Sequence, residues 1–141
     1  MKRLIYVLPL LLVLAAGCFN NSANEPAPDP SGTFSGEFRH ISKHPDNTID
    51  TTKANIIVVI EPGVGYHVLG DTTTKHAGSK GHYGIAGNGI MFVDNTYPKT
   101  GTPTKTHLNG EYVFVYNGSI FQMAKSSGDT VAFQYDLKKT N

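Results

Sequence analysis

Short runs of β-branched and aromatic residues, cut at close intervals by glycine turns, leave this chain few ways to fold. Thr33 to Ile41 alternates Phe34, Gly36, Phe38 and His40 against Ser35, Glu37, Arg39 and Ile41, the period of two expected of a strand with one buried face. Ala54 to Ile60 is apolar on both faces and stops at Glu61-Pro62-Gly63. Tyr66 to Leu69, Gly81 to Ala86, Ile90 to Val93, Glu111 to Tyr116, Ser119 to Ala124 and Thr130 to Leu137 complete a set of eight predicted strands. No 3.6-residue apolar period lasts long enough to predict a helix. Asn88-Gly89 predicts a type I′ hairpin, because Asn-Gly accepts positive φ at both central positions. Asn117-Gly118 predicts a second hairpin, and Ser127-Gly128-Asp129 leads into the last strand.

Eight sequential antiparallel strands leave an exposed edge at each end unless the sheet closes. Closure as a single up-and-down barrel removes both edges, and a barrel of this size either fills its interior with side chains or holds one small ligand. The fold expected is therefore all-β, an eight-stranded antiparallel barrel over residues 33–141. A two-sheet sandwich is the competing arrangement. Its crossings need long connections, and only Ser42 to Lys53 and Asn95 to Leu108 offer them.

The stretch from Gly81 to Asp94 (GHYGIAGNGIMFVD) and the stretch Leu108-Asn109-Gly110-Glu111-Tyr112 carry a recognisable strand-and-turn pattern. Together with the ending Tyr135-Asp136-Leu137-Lys138-Lys139 it resembles small lipocalin-like bacterial lipoproteins over about Gly32 to Lys139. The resemblance implies a calycin-type barrel. The chain has no tryptophan, so the N-terminal Gly-x-Trp signature of lipocalins is absent. Gly32-Thr33-Phe34 or Gly36-Glu37-Phe38 stands in its place.

The N-terminus specifies location. Met1-Lys2-Arg3 is followed by an apolar run, Leu4 to Ala16, then Gly17 and Cys18, the only cysteine. A charged start, a short apolar stretch and small residues before a cut describe a secretory signal peptide. The run is shorter than the ~20 residues of a spanning helix, and Pro9 removes a helical backbone donor. Leu14-Ala15-Ala16-Gly17-Cys18 resembles the lipobox of bacterial lipoproteins, which implies cleavage after residue 17 and acylation of Cys18 by palmitate-type chains. Two or more such chains give stable membrane anchoring. Residue 19 is Phe, whereas Asp there is an inner-membrane retention signal in some lipoproteins, so the outer membrane of the cell envelope is expected over the inner. Residues 18–32, with Pro26, Pro28 and Pro30 among small and polar neighbours, read as the lipidated cysteine and a flexible tether.

Composition excludes one class of partner. Removing residues 1–17 takes Lys2 and Arg3 and leaves ten of the twelve basic side chains against eleven acidic ones. Such a balance gathers no nucleic acid.

Nor does any motif indicate catalysis, and no catalytic residue, metal or cofactor is expected. His40 and His44 stand about 13 Å apart on an extended strand, too far for one ion. His67, His76, His82 and His107 fall on separate elements. There is no Gly-x-Ser-x-Gly elbow, and Gly78-Ser79-Lys80-Gly81 lacks phosphate-loop spacing. Glu61, Asp94, Glu111 and Asp136 read as solvated strand ends.

Aromatic residues offer the binding candidates. Tyr112, Phe114 and Tyr116 share one strand face, as do Phe133 and Tyr135, and Phe34, Phe38, Tyr66 and Phe92 join them on the inner side. These nine are the candidate ligand-lining set, since apolar walls with a few hydroxyl anchors make small-molecule sites. The same side chains would also serve as a filled core. Two functions follow as expectations. One is a nonenzymatic, lipid-anchored protein binding a small apolar ligand. The other is an interaction or scaffold module that contacts an envelope protein. Thr96 to Thr106, a long polar loop, suits a rim or a protein contact.

Overall fold

The computed structural model describes residues 28–141; Cys18, the signal segment and most of the expected tether lie outside them. All secondary structure among the described residues is β: β1 (Gly32–Lys43), β2 (Ile49–Glu61), β3 (Gly65–Gly70), β4 (Lys80–Ala86), β5 (Gly89–Asp94), β6 (Gly110–Tyr116), β7 (Ile120–Ser127) and β8 (Val131–Lys139). Each strand pairs antiparallel with the next, and β8 returns to β1, so the sheet is a closed barrel in sequence order. The eight-stranded up-and-down barrel is present, and the sandwich is not.

Local details differ from the expectation in three places. The β3–β4 connection, residues 71–79, is a long loop, although long connections are expected only at Ser42 to Lys53 and Asn95 to Leu108. Ser42 to Lys53 is no long connection. β1 and β2 run on as a ribbon to Lys43↔Ile49, closed by a turn in which His44 and Thr48 bond through their backbones and Asn47 takes φ 66°. Asp50-Thr51-Thr52-Lys53 lacks the apolar alternation of a half-buried strand because its far end is solvated on both faces. The β4–β5 hairpin is also not type I′. Ala86 pairs with Gly89, and the positive φ falls on Gly87 (59°), while Asn88 stays in the ordinary region. That is the glycine-first arrangement of a type II′ loop.

Inward positions follow strand parity. Phe34 and Phe38 on β1, Ile56, Val58 and Ile60 on β2, Ile90 and Phe92 on β5, and Tyr112, Phe114 and Tyr116 on β6 all enter one core. Gly36 sits between the two β1 phenylalanines, opposite Ile56 and Leu137. A methyl on its Cα would collide with the Asp136 carbonyl oxygen. Glycine therefore lets β8 lie close against β1 where the barrel shuts, as strand glycines do at barrel bends. We expect Gly36→Ala to lower unfolding free energy by about 2 kcal/mol, measured by urea denaturation; an unchanged midpoint would show that β8 can yield at no cost.

Candidate ligand cleft at the loop end of the barrel

The barrel has two unlike ends. One carries the tight connections at residues 62–64, 87–88 and 117–119. The other carries the β1–β2 and β7–β8 turns with two long loops, 71–79 and 95–109. These loops are sewn together. His76 and Thr106 form a parallel bridge, Ala77 N donates to Thr106 O at 2.8 Å, and Thr106 N donates to Lys75 O at 2.9 Å. Lys105 Nζ adds a bond to Thr72 O at 2.9 Å.

A buried carboxylate holds the second loop. Asp94 has no exposed side-chain surface, and it accepts from Thr96 N and Oγ1 at 2.8 and 2.6 Å, Lys80 N at 3.2 Å and His107 Nδ1 at 2.7 Å. Its own amide donates to Asn109 Oδ1 at 3.0 Å. Burial pushes the Asp94 carboxyl up, but the bonds from Thr96, His107 and Ser79 outweigh it and hold the group below the ordinary range. The solvated strand end expected for Asp94 is thus corrected: the residue stands two after Phe92 and shares its inward face. Glu61 and Glu111 are exposed, and half-buried Asp136 pairs with Arg39.

His76 anchors the first loop across the interior. It is fully buried, its ring packs edge-on to Phe38 at 4.8 Å and Tyr135 at 5.8 Å, and its Nδ1 lies 2.6 Å from Ala77 O. A carbonyl only accepts, so Nδ1 carries the proton, and Nε2 accepts from the Tyr135 hydroxyl at 2.9 Å.

All nine aromatic candidates reach the inner side. Eight are buried, and Phe133 is half-buried at the mouth. They pack on one another, with Tyr66–Phe92 at 4.7 Å, Phe38–Tyr135 at 4.9 Å and Tyr112–Tyr135 at 5.6 Å between ring centroids. Most of the set is therefore core, and Tyr112 and Phe133 alone of the nine also line the main cleft.

That cleft, about 570 Å³, opens at the loop end. Half-buried Phe133 gives it aromatic surface, buried Tyr112 lies at its base, and the loop from Thr102 to His107 forms one wall. Opposite stand His40, Thr52 and Ser127, the mouthward inner positions of β1, β2 and β7. His40 stacks on Phe133 at 4.9 Å, and burial followed by the Lys75 charge lowers its pKa. Tyr97 packs against His107 at 5.1 Å. Of the long polar loop Thr96 to Thr106, expected as a rim or a protein contact, Tyr97 and Thr102 to Thr106 line this cleft.

Strand parity also reaches a residue absent from the aromatic set. Lys125 follows Phe121 and Met123 at steps of two, so it too points inward. Among the described residues no three His, Cys, Asp or Glu side chains converge as a metal site.

No family model, curated protein or solved structure matches the chain. What the cleft can hold rests on its own side chains.

Burial pushes the His76 pKa down to about 4, against the pull of the Ala77 carbonyl. The unfolded chain takes up that proton near 6.5 and the folded one near 4, so the stability is complete above pH 6.5 and lost as pH falls through the interval. The loss amounts to roughly 3 kcal/mol. Melting temperature should fall over this window, and His76→Gln, although less stable at neutral pH, should show a flatter profile there. Parallel profiles for the two proteins would assign the acid sensitivity to other groups.

Proposed function

We propose that this chain is a lipid-anchored, nonenzymatic binding protein of the bacterial cell envelope, taking a small, partly apolar ligand at the mouth of its barrel. The observation that carries this reading is the cleft of about 570 Å³ floored by Tyr112 and Phe133, a volume in the range of small-molecule sites. Deep calyx binding is disfavoured by the aromatic packing beneath. The Asp94–His107 pair resembles an oriented base, but among the described residues His107 makes no side-chain hydrogen bond to a hydroxyl or thiol, so binding is preferred to hydrolysis. The lipid anchor rests on Leu14 to Cys18, and the outer-membrane placement on Phe19.

The test is native mass spectrometry of the full chain extracted from its own membrane in mild detergent, with labelled palmitate supplied during growth. Label should enter the parent protein and not Cys18→Ser. A non-lipid adduct should accompany the parent and be lost from Ser127→Trp, which crowds the cleft. A parent protein that is always empty overturns the binding reading; one that takes no label overturns the anchor.

A second reading, an interaction module, draws on the outer face of β5 and β6. Met91, Val93, Val113 and Val115 are 44%, 54%, 59% and 62% exposed there, an apolar patch of the kind that marks contacts. Cross-linking on intact cells from these positions would capture one dominant protein neighbour under this reading, and a scatter of neighbours would sink it.

A further inference from the structure

We infer that the cleft at the loop end is selective for small organic anions, in which a carboxylate or phosphate group is carried on a planar apolar body. The inference rests on the binding reading above and adds the charge of the ligand.

The cleft is lined by three lysines, Lys75, Lys105 and Lys125, and by no Asp or Glu. The carboxylate of Asp94, behind His107, is fully covered and held by Thr96, Lys80 and His107, and its single charge is outnumbered by the three lysines. His40 tends to its neutral form, so the lysines set the sign of the field. In a recess walled by protein, such a field is focused on whatever enters.

Lys125 distinguishes the cleft from a surface that is merely basic. It occupies an inward-facing position of β7, half-buried, where an apolar side chain would continue the run Phe121, Met123. Its ammonium donates to Asn109 O at 2.9 Å and lies 5.5 Å above the Tyr112 ring. Space for it exists because residue 110 is glycine with φ +89°: a Cβ there would stand 2.5 Å from Lys125 Nζ. An ammonium has three donors and accepts nothing. One donor is taken by the Asn109 carbonyl, the ring face draws on the charge without accepting a conventional bond, and donor capacity remains at the aromatic floor. A ligand laying a flat apolar body against half-buried Phe133, the β8 partner of Lys125, brings an anionic oxygen within reach of that group. The Thr102, Thr104 and Thr106 hydroxyls and the Lys75 and Lys105 ammonium groups are then available from the sides. Carboxylate and phosphate share this chemistry, and the experiment separates them.

The full chain in uncharged detergent is titrated calorimetrically with 2-naphthoate, 2-naphthyl phosphate and the neutral 2-naphthamide, against detergent-only blanks. At least one anion should bind about tenfold more tightly than the amide, the scale of one charge-assisted hydrogen bond; the tighter of the two identifies the headgroup. Raising salt from about 20 mM to about 500 mM should weaken the anion and spare the amide. Lys125→Met should bring the anion-to-amide affinity ratio down toward one. Lys75→Met, a change at an exposed position with no packing to lose, should reduce the preference in the same direction and keeps the inference testable if the β7 variant misfolds. Equal affinity of anions and amide overturns the anion selectivity and leaves cleft binding standing. Failure of all three probes to bind counts against cleft binding itself.

Discussion

Closure of β8 onto β1 is the constraint on which the rest of the molecule depends. Pairing runs from Phe34↔Lys139 to Ser42↔Val131, so β1 is hydrogen-bonded along both edges, and no strand of the barrel is left as an open edge. Closure also fixes the circumference, hence the space inside. An eight-stranded cylinder has room for a core or for one small guest, and here phenylalanines and tyrosines take most of it. Moving toward the loop end, the inner positions change character on several strands at once: Phe38 gives way to His40, Ala54 to Thr52, Met123 to Lys125 and Ser127. Apolar packing ends and the cleft begins at that common level.

The mouth is kept in shape by polar bonds that only a dry environment makes strong. Asp94 and His76 each tie a long loop to the barrel, one by collecting donors and the other by reaching to the far wall. The Tyr66 hydroxyl adds a bond to Leu108 O from below. Such networks are costly when half-satisfied, which explains why acid, acting on His76, is expected to loosen the loop end. The seam they protect is the thinnest one. β3 and β4 share only Tyr66↔Gly81 and His67↔Lys80 before the chain leaves for the first long loop.

The architecture was legible in the sequence because period-two alternation and glycine turns are local signals. All eight strands stand where Phe34, Ile56, Tyr66, Tyr83, Phe92, Tyr112, Phe121 and Tyr135 placed them. Boundaries slipped where both faces are wet, as at Asp50 to Lys53. The Gly87 turn slipped because Gly-Asn-Gly offers two overlapping hairpin registers and composition alone does not choose. The cleft was less legible. Its aromatic floor was named through Tyr112 and Phe133, but its charged members depend on two loops distant in sequence meeting over the barrel, and no periodicity encodes that meeting. Asp94 and Lys125 were within reach by extending the parity of Phe92 and Met123 one step further. Charged side chains are rarely placed inside, and that prior hid them.

The chain enters and leaves the barrel at the same pole. Thr33 and Thr140 bond through their backbones, Thr33 N also reaches Asn141 O, and Asp29 lies beside the Pro62–Gly65 turn. That pole is the one with the tight turns, diametrically away from the recess between the long loops. The two ends of the described chain and the recess therefore never compete for the same pole of the barrel.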